Sequence, residues 1–244
     1  MENWFKNWFS SEEYLSVYQH RDDDDATKLL ELILRQTKLI KQNSILDAAC
    51  GAGRHSIYLA SRGFKVIGFD LSKTLLLKAQ DNAKKKSLEN NFVCADLRNI
   101  YFRKKFDLII NLFTSFGYFK NNEENFKFIN TAYSLLNENG FYVLDYLNKN
   151  FLLANLTGES KKVIDNKIII EKRKVVKDRV IKEIHIKKDL EEQHFIESVR
   201  LYSKNEIETE FKRIGFTRVS AFGDYDGSNY DEQNSSRLIL FFKK

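Results

Sequence analysis

One stretch constrains the fold of this chain more than any other: Ile45-Leu46-Asp47-Ala48-Ala49-Cys50-Gly51-Ala52-Gly53-Arg54-His55. The apolar run from Ser44 to Ala49 predicts a buried strand. Two glycines one residue apart follow, and then a helical pattern with Ile57, Leu59 and Ala60 among its apolar positions. Strand, Gly-x-Gly turn and helix together open a nucleotide-binding crevice in an open α/β sheet. The glycines let the backbone pass close to a ligand and adopt torsions that a side chain would block. The next strand, Lys65 to Phe69, ends at Asp70, where an acid suits the two hydroxyls of a ribose.

The dinucleotide fingerprint has a third glycine, which allows close packing of helix on strand. Here that position is Ser56, and an acid, Asp47, precedes the turn. Leu46-Asp47-Ala48-Ala49-Cys50-Gly51-Ala52-Gly53 resembles the first motif of class I S-adenosylmethionine-dependent methyltransferases, and Asp70-Leu71-Ser72 resembles their second. The resemblance continues in order through Ala95-Asp96-Leu97, Phe106 to Asn111 and Asn139 to Asp145. It implies a Rossmann-like, doubly wound seven-stranded α/β sheet with the last strand antiparallel. It also implies S-adenosylmethionine as cofactor. Asp47, Ala49, Gly51 and Gly53 would then form the cofactor turn, and Asp70 with Leu71 the ribose side. Asp96 would meet the adenine amino group, with Leu97 and Leu112 flanking the cofactor. Arg54 would lie near the methionine carboxylate, within reach of Tyr18.

At 244 residues, a single α/β domain with an insertion is expected. Apolar residues make up 43%, enough for a core, and 20 Phe with 11 Tyr predict an aromatic one. No run approaches the ~18 apolar residues of a membrane helix. The first residues, with Glu2, Trp4, Lys6 and Trp8, do not read as a signal peptide. Two cysteines, Cys50 and Cys94, are no secreted disulfide framework, so a cytoplasmic protein is expected. The chain has no proline, so its turns must rely on Gly, Asn, Asp or Ser. The net charge of +6 is concentrated: Lys161 to Asp189 holds eleven Lys/Arg against five Asp/Glu, and 11 − 5 = +6. Such a segment is either a solvated face or a surface for an anionic partner such as nucleic acid.

The chain begins with aromatics at helical spacing: Phe5, Trp8 and Phe9, then Tyr14 and Tyr18. Ser10 or Ser11 can cap a helix through Tyr18. Either this segment folds over the cofactor mouth, as the resemblance implies, with Tyr14 facing the acceptor, or it packs on a sheet edge. Asp22 to Asp25 favour the start of the helix that carries Leu29, Leu30, Ile33 and Leu34, with a calcium site as the alternative. His55 reads as a packing residue. Ser72 caps the helix after Asp70, and Cys94 sits in a strand position expected to be buried and inert.

Beyond the strand Asp107 to Asn111, the loop Leu112 to Phe119 lies at the carboxyl ends of the strands, where such sheets build their sites. Phe113, Phe116 and Tyr118 are expected as an aromatic wall near a sulfonium, with Ser115 beside them, although one or two of these rings can point into the core. After the fifth strand, Phe141 to Tyr146, the doubly wound rhythm stops. Ile168 to Val176, Val180 to Lys188 and His194 to Leu201 read as strands of an inserted antiparallel sheet, with turns at Lys177-Asp178-Arg179 and Asp189 to Gln193. It can cover the acceptor site, pair two subunits, or both. His185 and His194 lie there without metal-ligand company, and no metal is expected. A capped helix from Ser203 to Gly215 and two strands, Phe216 to Phe222 and Arg237 to Phe242, complete the sheet. The organisation expected is therefore 1–149 for the N-terminal lid helices and cofactor core, 150–202 for the inserted sheet, and 203–244 for completion of the core sheet. Tyr225, Tyr230 and Arg237 are candidate acceptor contacts.

The function expected is methyl transfer to an N or O nucleophile, most naturally on a small molecule. Tyr14, His20 and Tyr118 are candidate proton handlers. The proline-containing motifs of adenine-amino and cytosine-carbon methyltransferases cannot exist here. RNA or protein acceptors stay open because of the basic insertion. A cofactor-binding scaffold without turnover is a rival from another class. A nicotinamide oxidoreductase is disfavoured by Ser56 and by the later motifs.

Overall fold

The computed structural model describes residues 3–18, 23–89 and 91–244. Two short helices, α1 (Trp4–Ser10) and α2 (Glu12–Tyr18), precede the long α3 (Asp23–Thr37). The core follows as β1 (Ser44–Ala48), α4 (Arg54–Ser61), β2 (Lys65–Asp70), α5 (Lys73–Lys85), β3 (Asn91–Cys94), β4 (Phe106–Asn111), α6 (Asn122–Leu135) and β5 (Leu136–Leu147). After α7 (Lys149–Ala154) come β6 (Glu159–Ile164), β7 (Lys167–Val176), β8 (Arg179–Lys188) and β9 (Glu191–Arg200). The chain then returns through α8 (Lys204–Ile214), β10 (Thr217–Phe222) and β11 (Arg237–Lys243).

Seven strands form one sheet in the order β10-β11-β5-β4-β1-β2-β3. All neighbouring pairs are parallel except those of β11, which runs antiparallel between β5 and β10. This is the doubly wound sheet expected from the motifs, with the order reversing between β1 and β4. Period-two alternation splits the side chains between two cores. Leu46, Leu144, Leu240 and Phe242 pack with Phe126 and Ile129 of α6 and Phe211 of α8. Ile45, Leu108, Val143 and Phe241 pack on the other face with Leu29, Ile33 and Leu59 of α3 and α4. The aromatic core is real: Phe211 and Phe242 stack at 3.9 Å, and Tyr142 meets Phe211 edge-on.

The local caps match their residues. Ser72 accepts from Leu75 N–H, and Ser203 and Glu206 close a reciprocal capping box at α8. Of the two serines expected to cap the second helix, Ser11 does so, accepting from Tyr14 N–H at 3.2 Å.

The inserted sheet differs from expectation in having four strands, in the order β6-β7-β8-β9. The additional strand, β6, joins β7 through Asp165-Asn166, both at positive φ (47° and 61°). That is the backbone of a two-residue hairpin turn whose twist matches its strands, formed here without glycine. A second correction concerns Cys94, which is exposed rather than buried. It lies on β3, which has a neighbour on only one side.

Ser56 in place of the third glycine is accommodated from the strand side. A Cβ on Gly68 of β2 would lie 2.8 Å from Ser56 Oγ and 2.9 Å from Cys50 Sγ. Gly53 (φ 80°) faces α5, where a Cβ would sit 2.8 Å from that of Ala79 and 3.0 Å from the Phe92 ring. Gly53→Ala therefore combines a left-handed torsion with a clash. It is expected to destabilise the fold by about 1–3 kcal/mol, read as a lower denaturant midpoint at unchanged slope.

Candidate functional site

The turn after β1 takes three left-handed residues in five: Ala49 (φ 57°), Gly51 (φ 55°) and Gly53 (φ 80°). It is tied to the end of β2 by the Asp70 carboxylate, which accepts from Gly51 N–H at 2.9 Å and from Ser72 N–H at 2.8 Å. Burial raises the Asp70 pKa, and these backbone donors oppose the rise. The space above Gly51 is open: the nearest atom to a Cβ built there is a Leu75 methyl at 4.0 Å. One turn deeper, Asp47 is 1% exposed and accepts a 2.6 Å bond from Ser56 Oγ, which pins α4 to β1. Desolvation pushes Asp47 up to about 7 despite that bond.

At the end of the third strand, Asp96 is gripped by Arg98, Nε to Oδ1 at 3.0 Å and Nη2 to Oδ2 at 2.7 Å, and Arg98 also reaches Glu124 at 2.9 Å. Burial would raise the Asp96 pKa, but the Arg98 bonds outweigh it and hold the carboxyl below its ordinary value. The Arg98 fork fixes the direction of the Asp96 side chain, a constraint that the motif alone did not reveal.

Beyond β4, Phe113 (φ 54°) and Thr114 (φ 65°) are both left-handed without glycine. A buried hub holds them there. Asp145, with no exposure, accepts from Phe113 N–H at 2.9 Å and from Tyr225 Oη at 3.2 Å, and pairs with Arg237 Nη2 at 2.7 Å. Arg237 also donates to Thr114 Oγ1 at 3.0 Å. The Phe113 ring stacks on Tyr225, lies 5.1 Å from the His55 ring and carries the Arg54 guanidinium over it at 4.7 Å. His55 is buried, its Nε2 has no partner among the described residues, and desolvation lowers its pKa to about 3.

The two N-terminal helices close the other side. Glu197 of β9 accepts from Trp8 Nε1 at 2.7 Å and from Tyr18 Oη at 2.6 Å, and pairs with Lys182 of β8 at 2.5 Å. Burial pushes the Glu197 carboxyl up, yet Lys182 and the two donors more than compensate and keep it below its usual range. Lys167 adds a 2.7 Å ion pair to Glu13 of α2. Ser72 Oγ donates to the Phe9 carbonyl at 2.6 Å, so the same serine that caps α5 also anchors α1. Trp4, Phe9 and Tyr14 gather around Tyr118, with Trp4 5.1 Å and Phe9 5.6 Å from its ring and Tyr14 4.9 Å from Phe9.

A single cavity of about 1300 Å³ lies between these walls. Of the residues expected at a site, Asp47, Ala49, Gly51, Arg54, Asp70 and Leu71 line it, as do Asp96, Leu97, Leu112, Phe113 and Ser115, and Tyr14, Tyr18, Tyr118, Tyr225 and Arg237. Three do not. Gly53 faces α5 and serves packing. Phe116 turns into the core against Phe126, Tyr146 and Tyr202. Tyr230 packs at the rim of that core, its hydroxyl 3.3 Å from Asn148. His20 lies outside the described residues. Asp145, Lys182 and Glu197 were missed. Asp145 is a lone charge in the apolar run Phe141 to Leu147, a pattern that marks a paired buried ion, whereas Lys182 and Glu197 lie in strands rich in charge, where no sequence signal sets them apart.

Residues 45–140 match the methyltransferase domain model. Over that span the chain is similar to methyltransferase domains. The matched part runs from β1 through the glycine turn to the start of β5. A glycine/sarcosine N-methyltransferase of Aphanothece halophytica is 34% identical over 125 residues, 50% of this chain and 47% of the relative. The chain thus spans about half the length of the curated relatives it matches. The fold likeness extends further than the methyltransferase domain. An S-adenosylmethionine-dependent methyltransferase from Clostridium acetobutylicum superposes with TM-score 0.82 at 19% identity, covering 97% of this chain and 98% of that one. An amino pentose methyltransferase from Micromonospora echinaspora, with its cofactor bound, superposes with TM-score 0.71 at 17% identity over 96% and 97%. At those identities the likeness is one of fold.

The displaced pKa values of Asp47 and His55 act on stability in opposite senses. An unfolded Asp47 loses its proton near 3.8 and the folded one near 7, so its contribution is full below 3.8 and is lost as pH rises to about 7. His55, ordinarily 6.5 and lowered to about 3, contributes above 6.5 and loses that contribution as pH falls towards 3. Because the windows overlap, the informative quantity is the difference between wild type and Asp47→Asn. Measured by urea unfolding, the variant is expected to gain on wild type as pH rises from about 4 to about 7.

Proposed function

We propose that the protein transfers the methyl group of S-adenosylmethionine to a nitrogen or oxygen nucleophile of a small molecule, with an amine as the favoured acceptor. The observation that carries this reading is spatial. The open Gly51 turn, the Asp70 carboxylate and the Arg98-held Asp96 carboxylate share one cavity with the aromatic cluster around Tyr118. Asp70 would hold the ribose hydroxyls, Asp96 the adenine amino group, and Arg54 with Tyr18 the carboxylate end. Tyr18 would do so while bonded to Glu197.

When bound, the cofactor supplies a methyl on a positively charged sulfur with a good leaving group. The protein's part is then position, desolvation and charge. Tyr14, Tyr118 and Phe9 present π faces suited to a cation. The helices latched by Glu197 exclude water from the aromatic side of the cavity. The Asp145 hub fixes Phe113 and Tyr225 in the opposite wall, so that an acceptor held between the walls is oriented rather than free to tumble. Tyr14 and Tyr118 are the proposed proton handlers, a role that falls away for an acceptor amine already unprotonated.

The amine preference leans on similar proteins, which include N-methyltransferases of glycine and sarcosine and of an amino sugar. A nucleic-acid acceptor draws less support from the structure. Much of the basic charge of the insertion is met by acids across its strands, with Lys172 to Glu159 at 3.7 Å, Lys174 to Glu183 at 2.7 Å and Lys187 to Glu192 at 3.4 Å. Among the described residues no helix is long and apolar enough to cross a membrane. Both cysteines are free, which suits a reducing compartment, and the cytoplasm is the proposed place of action.

Transfer of tritium from methyl-labelled S-adenosylmethionine tests this reading against a panel of glycine, sarcosine, nucleotide-linked amino sugars, bulk tRNA and a protein mixture. Label is expected in one or more small amines. Label confined to tRNA or protein would refute the small-molecule reading. Absence of transfer to the whole panel would favour a cofactor-binding scaffold.

A further inference from the structure

The outward face of the inserted sheet carries a cluster of metal-ligating groups that methyl transfer does not use. The β8–β9 register sets His185 directly opposite His194, and their rings lie 4.5 Å apart. Glu183 sits two residues before His185 on β8 and therefore on the same face. One ligand atom from each of Glu183, His185 and His194 lies within 4.8 Å of the others. A fourth group is near, since Glu192 Oε1 is 3.7 Å from His185 Nδ1. Two imidazoles and a carboxylate, open to water on the remaining side, form a donor set suited to zinc and its neighbours rather than to calcium or magnesium.

We propose that Glu183, His185 and His194 bind a divalent transition cation of the zinc class, outside the cavity. Paired antiparallel strands hold the ligands at fixed spacing, so small side-chain rotations bring them onto one ion. The competitor is Lys174, whose Nζ lies 2.7 Å from Glu183 Oε1, while Lys187 holds Glu192 at 3.4 Å. Binding replaces the Lys174 contact on Glu183 or uses its other oxygen. The ion would pin together β8 and β9, whose opposite face carries Lys182 and Glu197, the pair that anchors the N-terminal helices. It is a clamp behind the lid and takes no part in the transfer.

The test is titration of Zn²⁺ into chelator-treated full-length protein, followed by calorimetry and by the imidazole proton resonances. Wild type is expected to take up one equivalent, with the His185 and His194 resonances moving together. His185→Ala and His194→Ala should each weaken binding about tenfold or more. Lys174→Ala should strengthen it by freeing Glu183. His194 is exposed, so His194→Ala remains informative should the His185 variant fail to fold. Absence of Zn²⁺ binding, or binding by His194→Ala equal to that of wild type, would overturn the proposal, the latter by placing the ion elsewhere.

Discussion

The Asp70 carboxylate joins the two halves of the site. It accepts from Gly51 N–H in the turn after β1 and from Ser72 N–H at the start of α5, while Ser72 Oγ reaches back to the Phe9 carbonyl in α1. One buried acid therefore sets the glycine turn, the mouth of the next helix and the footing of the lid. The two bonds to the Asp70 carboxylate are of the charge-assisted kind that is expensive to break. The same carboxylate is the one proposed to hold the ribose hydroxyls, so the interaction that shapes the crevice belongs to the group that would read its ligand.

The remaining walls are built on the same principle of buried charge in fixed company. Asp145 holds a left-handed, non-glycine pair, Phe113 and Thr114, in a conformation that the free chain would rarely adopt. Glu197 with Lys182 latches the two N-terminal helices to an inserted sheet, across 189 residues of chain from Trp8 and 179 from Tyr18. The lid thus depends on the insertion. A cavity closed in this way is shaped jointly by the shared methyltransferase core and by elements outside it, and that is where acceptor selectivity would be set.

Much of this was legible in the residues because strand ends, glycines and acids fall in a set order. The core strands and the acids at the ends of β2 and β3 follow from apolar runs and their terminators, while the seven-stranded arrangement was implied by the family resemblance. The misses have physical causes. Glu159 to Ile164 was not among the expected strands: two adjacent lysines, Lys161 and Lys162, break its apolar alternation, and β7 supplies the partner in register. Which of Phe113 and Phe116 faces the cavity depends on left-handed torsions that break any periodicity. Gly53 has the spacing of a ligand-facing glycine, and only the approach of Ala79 shows that it serves packing. His185 and His194 read as unaccompanied because the turn was expected over Asp189 to Gln193. Pairing in fact extends to Lys188 opposite Glu191, and this tighter turn brings the two rings together.

The crevice at the ends of β1, β2 and β3 is proposed to bind the adenosyl cofactor through Asp70. Calorimetric titration with S-adenosylhomocysteine, on wild type and on folded Asp70→Ala, tests this most directly. One site is expected in wild type, with binding weakened about tenfold or more in the variant, the loss that follows when a charged hydrogen-bonding group is removed. Absence of binding by folded wild type, or equal affinity in the two proteins, would contradict the proposal.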